Sequence, residues 1–432
     1  MTRLVIKGGR VVDPASNIDG QCNIYIMGGR IASVKAVEDD TTEFTSGLEI
    51  IDATGLTVMP GLVDLHTHLR EPGFEYKETI LSGCASAAAG GFTAILCMAN
   101  TKPVNDNQSV TRFILKKAEE AKVKVFPVGA VTVGLKGERL AEAAELKEAG
   151  CVALSDDGMS VRGGGLMRRA LEYAKALDLP IISHAEDTEL AAMGVMNEGA
   201  ASTRLGLKGI PNAAEEAFVA RDIMLAQLTG GRLHIAHVST RGSVELIRSA
   251  KKSGVKVTAE ATPHHLTLTD EAVAGYNTNA KMNPPLRTKE DVDALRHALK
   301  DGTIDAVATD HAPQSVIEKD VEFDRAANGI VGLETAFSLV YGLVEEGVLT
   351  MNELAAAMSL NPAKVMSLDK GTLKVGASAD IAIADLKRLW TVDPAELKSK
   401  SKNTPYAGMT LKGRIVKTIV GGKVVFDCPA ER

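Results

Sequence analysis

Gly61-Leu62-Val63-Asp64-Leu65-His66-Thr67-His68-Leu69-Arg70 is an apolar run closed by two histidines one residue apart and an arginine. Side chains alternate faces along a β-strand, so His66 and His68 point the same way and can grip one ion. The preceding Val58-Met59-Pro60 continues the apolar character, and Val58–His68 reads as one buried strand. Paired imidazoles at the C-terminal end of a buried strand have the layout of a metal site at the mouth of a barrel. Two histidines in a strand-end turn, satisfied by backbone groups, explain so short a spacing equally well. The rest of the chain decides between the two.

Outward from this stretch, short apolar runs with polar ends recur at Thr93–Asn100, Lys124–Thr132, Val152–Asp157, Pro180–Glu186, Leu233–Ser239, Lys256–His265 and Asp305–His311. Segments rich in Ala, Leu, Glu and Lys lie between them: Glu78–Ala89, Ser109–Ala121, Glu138–Ala149, Gly165–Leu177, Ala213–Leu228, Ser243–Ser253 and Lys289–Leu299. Buried strands alternating with helices predict an α/β fold, a TIM-like (β/α)8 barrel, over residues 58–365. The flanks differ. Leu4–Val12, Asn23–Met27, Arg30–Val34, Ala379–Ala384 and Arg414–Phe426 read as strands with Gly-Gly or Asp-Pro turns. Residues 1–57 and 366–432 are therefore expected to meet in one small β-sandwich domain packed on the barrel.

A chain of 432 residues holds one large domain and one small one comfortably. Its 49 basic and 55 acidic residues form no basic stripe, which argues against a nucleic-acid binder. Cys22, Cys84, Cys97, Cys151 and Cys428 show no CxxC pairing and suit reduced, buried thiols. With no signal-peptide core at the N-terminus and no uncharged run of membrane-spanning length, a soluble cytoplasmic protein is expected.

The C-terminal ends of barrel strands carry the chemistry in such folds. Here they bear His66 and His68, then Asn100, Asp156-Asp157, His184, His237 and Asp310. A lone strand-end Asp often caps a helix, and a lone buried His is usually hydrogen-bonded core. Four histidines and two carboxylates at one mouth instead point to one or two divalent ions. Alternation sets His234 and His237 on opposite faces, leaving His237 at the mouth and His234 packed against a helix. Asp156 and Asp157 also face apart, one for the metal and one capping a turn at Gly158; periodicity does not choose between them. His264 and His265 are expected on the seventh strand as supporting or packing groups. His311 should point away from Asp310, and His297 lies in a helix without a functional role.

The motifs Pro60–Gly73, Met98-Ala99-Asn100-Thr101, Ser155–Gly158, His184-Ala185-Glu186, His237–Thr240, Lys281–Arg287 and Thr309–Pro313 together resemble class I (long-chain) dihydroorotases of the amidohydrolase superfamily. The similarity extends to Gly376–Asp380 near the C-terminus. It implies zinc-dependent interconversion of N-carbamoyl-L-aspartate and L-dihydroorotate in pyrimidine biosynthesis. The metal ligands it implies are His66, His68, Asp157, His184, His237 and Asp310, with Asp157 preferred over Asp156 by its spacing to the next histidine. The substrate contacts it implies are His68, Arg70, Asn100, Asn283 and the turn at Asn328-Gly329. Family members often carry histidine where Gln314 stands; glutamine still donates an amide N–H but carries no charge. A homodimer, and aspartate transcarbamoylase as partner, follow from the same resemblance.

The chemistry expected of such a site is attack by metal-bound hydroxide on the ring amide, with Asp310 as general base and then general acid. Arg70 offers a planar fork for a substrate carboxylate, unless a surface salt bridge engages it. Asn100 supplies a further hydrogen bond or caps the Lys102–Asp106 turn. Gln314–Asp324 is charged and irregular, and reads as a lid or a solvated loop. Hydantoinases, dihydropyrimidinases and allantoinases share the barrel but resemble one another in a carboxylated lysine on the fourth strand. Here that strand, Cys151–Asp157, has none. A non-catalytic scaffold for aspartate transcarbamoylase would lack metal ligands, and this chain keeps all six.

Overall fold

The computed structural model describes residues 3–40 and 48–428. Residues 1, 2, 41–47 and 429–432 of the expected terminal domain lie outside the described residues. Eight parallel strands form the barrel wall: Leu62–Thr67, Phe92–Cys97, Lys124–Gly129, Ala153–Ser155, Ile181–Ser183, Leu233–Ile235, Val257–Ala261 and Ala306–Val307, neighbours in that order. Buried Val, Ile, Leu and Ala dominate them, as expected for a sheet covered on both faces. Helices follow each strand, including Ala336–Glu345 after the eighth, which the sequence patterning had not singled out.

The expected strand Val58–His68 is in fact two. Thr57–Pro60 pairs with Ile381–Ala384 in the terminal sheet, and the barrel strand begins at Leu62. The break falls at Gly61, where a Cβ would lie 2.2 Å from the Thr93 hydroxyl, so only glycine lets the chain cross at that point. Among the described residues the terminal sheet has eight strands drawn from both ends of the chain, mostly antiparallel, with its own core of Leu4, Ile6, Val11, Ile24, Ile26, Ile381, Ile383 and Ile419. Arg414–Phe426 is likewise not one strand: Gly421-Gly422 turns Thr410–Val420 back onto Lys423–Asp427. The five cysteines are buried and free, and no helix among the described residues is long and apolar enough to cross a membrane.

Closure of the barrel matters for the mouth. A parallel bridge joins Thr67 to His311, and the His68 N–H donates to the His311 carbonyl at 2.8 Å. Asp64 pins this seam: its carboxylate accepts from Thr309 N (3.0 Å), Thr309 Oγ1 (2.5 Å) and His66 N (3.1 Å), fully buried. Asp64→Ala strands three buried donors at about 1–3 kcal/mol each, so urea unfolding is expected to show a loss of about 3 kcal/mol or more. Asp64→Asn keeps an acceptor oxygen and is expected to lose less.

Candidate metal centre

Strand ends deliver the donors. His66 lies on the first strand and His68 just beyond it; Asp157, His184, His237 and Asp310 follow the fourth, fifth, sixth and eighth strands. Asp157 is the hub. Its Oδ1 lies 3.1 Å from His66 Nε2, 3.6 Å from His184 Nδ1 and 3.7 Å from His237 Nε2, and its Oδ2 lies 3.4 Å from His68 Nε2. Two triads, His66–His68–Asp157 and Asp157–His184–His237, thus share one carboxylate, and every member is buried. Asp310 Oδ1 sits 3.0 Å from His68 Nε2 and 3.6 Å from His66 Nε2.

These residues fit a divalent ion. The donor atoms of each triad lie within 4.8 Å of one another, close enough for one ion to reach all three. His66 Nε2, Asp157 Oδ1 and His184 Nε2 are buried without a hydrogen-bond partner, and the first two face each other. Such orphaned atoms are costly unless something else satisfies them. Two residues here have positive φ, His237 at 33° and Asp310 at 46°, a strained backbone of the kind that collects at functional sites.

Electrostatics agree. Burial opposes the charged imidazolium, yet Asp157 and Asp310 hold His66 well above the ordinary histidine range. For His184 the same opposition is overcome by the nearby carboxylates of Asp157 (3.6 Å) and Glu186 (3.5 Å), which push it up to about 10. Burial would likewise raise the carboxyls, but His66 and its neighbours hold Asp157 and Asp310 well below the usual range. A metal must displace protons from these imidazoles. Zinc affinity is therefore expected to rise with pH through neutrality, by about tenfold per pH unit for each proton displaced, in chelator competition at about pH 6, 7 and 8. A flat profile would contradict the protonated state of the free site.

A cavity of about 200 Å³ opens above the triads, lined by His68, Arg70, Asn100, Asp157, Asn283, Asp310 and Gln314, among others, with no lysine. Arg70 donates through Nε to the Pro313 carbonyl (3.1 Å) and forms no ion pair among the described residues, so its fork remains available. Asn100 caps no turn: its Oδ1 accepts from His68 Nδ1 at 2.9 Å, freeing the opposite nitrogen for a metal. Asn283 Nδ2 donates to Glu186 Oε2 (3.1 Å). Gln314 Nε2 donates to the Asn328 carbonyl (2.6 Å) and Oε1 accepts from Lys77 (2.8 Å), so its amide is occupied at both ends. Gly329 has φ 141°, and a Cβ there would lie 2.4 Å from the Ala312 carbonyl, so this rim position needs glycine. Two lysines tie the Gln314–Asp324 segment to its surroundings. Lys319 Nζ donates to Thr278 O (2.9 Å), and Lys281 Nζ donates to the carbonyls of Phe323 (2.7 Å) and Asp324 (3.0 Å).

Several expectations are corrected. Asp156 does not cap the Gly158 turn; its carboxylate accepts from the backbone of Val131 (2.8 Å) and Thr132 (2.9 Å) and from the Thr132 hydroxyl. His264 and His265 lie not on the seventh strand but in the short helix Pro263–Thr267, because the strand ends at Ala261. His234 does not pack against a helix: its Nε2 meets Glu260 Oε2 at 3.0 Å and its Nδ1 meets the Thr258 hydroxyl at 2.9 Å. The strict alternation behind that expectation fails because the sixth strand ends at Ile235 and His237 turns at positive φ. Glu260 went unremarked in the sequence, and Glu186 entered only within the His184-Ala185-Glu186 motif, without a role; for Glu260 a glutamate inside the buried run Lys256–His265 was the available signal.

Residues 55–243 match the family model described as Dihydro-orotase-like. The chain is 59% identical to a protein of Geobacter metallireducens named dihydroorotase, covering 98% of this chain and 99% of that one. It is 55% identical to the dihydroorotase of Syntrophus aciditrophicus and 57% to that of Anaeromyxobacter dehalogenans, covering 98% of this chain in both cases and 99% and 98% of the relatives. Among solved structures it resembles the L-hydantoinase of Arthrobacter aurescens, with a TM-score of 0.89 at 28% identity, covering 100% of this chain and 98% of that one. A dihydropyrimidinase from Brevibacillus agri shares the fold, with a TM-score of 0.85 at 24% identity over 99% and 95% of the two chains.

Proposed function

Because the chain belongs to the dihydroorotase family, we propose that it interconverts N-carbamoyl-L-aspartate and L-dihydroorotate in pyrimidine biosynthesis. It is a hydrolase acting on cyclic amides. One observation supports this reading above others: four imidazoles and Asp157 converge with unpartnered buried ligand atoms beneath a cleft that holds Arg70, which forms no ion pair among the described residues.

In this reading His66, His68, Asp157, His184 and His237 hold one or two zinc ions, with Asp310 alongside. When bound, zinc polarises the ring amide carbonyl and makes water a nucleophile near neutral pH. Asp310, ionised despite burial, accepts a proton from the attacking water. A C–O bond forms at the carbonyl carbon, the ring C–N bond breaks, and Asp310 returns the proton to the departing nitrogen. In the reverse direction Asp310 takes a proton from the carbamoyl nitrogen as its C–N bond forms at the β-carboxylate carbon, and returns it to the carboxylate oxygen that leaves as hydroxide when that C–O bond breaks. Arg70 grips the carboxylate that takes no part in the reaction, while Asn100, Asn283, Gln314 and the Asn328-Gly329 turn frame the ring.

A hydantoinase-type activity is the competing reading, since solved hydantoinases share this fold. The cleft carries no lysine of the kind expected of that type. Hydantoin and dihydrouracil lack the carboxylate that Arg70 would bind, so kcat/KM for L-dihydroorotate is expected to exceed theirs by about 100-fold or more. Faster turnover of either competitor would reverse the assignment. The reading also carries a cytoplasmic location, a homodimer, and aspartate transcarbamoylase as partner; light scattering of the protein alone and mixed with that enzyme tests the last two.

A further inference from the structure

We propose that Glu260 is a positioning residue that fixes the tautomer of His66 and ties two metal ligands into one electrostatic unit. The inference builds on the metal-site reading above.

Glu260 sits on the seventh strand, Val257–Ala261, at the barrel centre, with no exposed surface. It supplies no donor to either triad. Its Oε1 lies 2.8 Å from His66 Nδ1 and 3.4 Å from the backbone N of His237, and its Oε2 lies 3.0 Å from His234 Nε2. A carboxylate only accepts, so both imidazoles must present N–H to it. That places a His66 N–H on Nδ1 and makes Nε2, on the far side of the ring, the nitrogen a metal would take. Nε2 is the His66 atom that lies buried without a hydrogen-bond partner, 3.1 Å from Asp157. The second imidazole follows the same logic: with N–H at Nε2, His234 accepts the Thr258 hydroxyl at Nδ1 (2.9 Å). The chain Thr258–His234–Glu260–His66 therefore has one consistent proton order, with its negative charge behind the ligand. A carboxylate behind a ligating imidazole raises the basicity of the opposite nitrogen. The contact with His237 N braces a second ligand at its strained backbone position.

Glutamine in place of Glu260 keeps the shape but turns one oxygen into a donor, which faces an imidazole N–H. Zinc binding to metal-stripped protein, competed by a chromophoric chelator, reads the consequence. Glu260→Gln is expected to bind zinc about 10–100-fold more weakly than wild type, with Glu260→Asp recovering part of the loss. In a His66→Ala background the same substitution is expected to cost less than about threefold, because its main route is gone. Wild-type affinity in Glu260→Gln, or an equal loss in both backgrounds, overturns the inference. If Glu260→Gln does not fold, ¹⁵N NMR of wild-type histidines, with His66 assigned by its loss in His66→Ala, gives the tautomer directly. An N–H on Nδ1 supports the inference, whether or not Nε2 is also protonated in the metal-free protein; a His66 that carries its N–H on Nε2 alone overturns it. Wild-type protein that binds no zinc overturns the metal-site reading itself, a failure distinct from the others.

Discussion

Asp310→Asn is expected to lower kcat for L-dihydroorotate hydrolysis by about a thousandfold or more while zinc remains bound. General base and acid catalysis by a positioned side chain contributes about 10²–10⁴-fold, and here one carboxylate serves both steps. The other donors survive the change, because both triads are complete without Asp310. Asparagine also suits the position: Asp310 has φ 46°, a left-handed conformation that Asn tolerates better than most residues. Alanine would add backbone strain to the chemical loss. Steady-state kinetics beside zinc quantitation separate the two roles. Retained turnover would remove Asp310 from acid–base chemistry, and lost zinc would recast it as chiefly a ligand.

The second large effect is expected at Asp157. All four imidazoles lie within 3.7 Å of its carboxylate, and it alone belongs to both triads. Asp157→Ala removes a shared ligand and the counter-charge that holds the imidazoles together. Zinc content after dialysis against a weak chelator is expected to fall to about a tenth of wild type or less, and turnover by about a thousandfold or more. Its neighbour supplies the control. Asp156 binds backbone N–H groups of Val131 and Thr132, so Asp156→Ala should cost stability, about 1–3 kcal/mol per stranded donor, and leave zinc in place. Reversal of the two phenotypes would mean that the adjacent carboxylates have exchanged roles.

That pair shows where sequence reading stops. Two adjacent acids face apart on any strand, so alternation announces that one enters the mouth without saying which. Resemblance to dihydroorotases pointed to Asp157, and the contacts that distinguish the two acids come from the third strand's end, far away in sequence. His66 and His68 were legible because one-residue spacing survives any register and needs no partner to interpret. The barrel was legible for a similar reason: eight apolar runs alternating with Ala- and Leu-rich segments leave few ways to bury both.

His234 was misplaced because alternation assumes a continuous strand, and this one ends two residues before His237 turns at positive φ. Val58–His68 read as one strand because Pro60 and Gly61 sit inside an unbroken apolar run; the packing of Thr93 against Gly61 is tertiary information. The anchoring of Gln314–Asp324 was hidden for another reason. Lys281 and Lys319 look like surface charges in a polar stretch, yet their ammonium groups satisfy backbone carbonyls inside the fold. Glu260 was the costliest omission, since a fully buried glutamate demands partners and both its neighbours are imidazoles.

The measurement that bears most directly on the central claim is zinc restoration of stripped protein. Chelator-treated enzyme is expected to show no hydrolysis of L-dihydroorotate, and turnover should return in proportion to added zinc, saturating at one or two ions per chain. Full activity in the metal-free protein, or zinc bound at that stoichiometry without recovery of turnover, would contradict a catalytic metal centre at the barrel mouth.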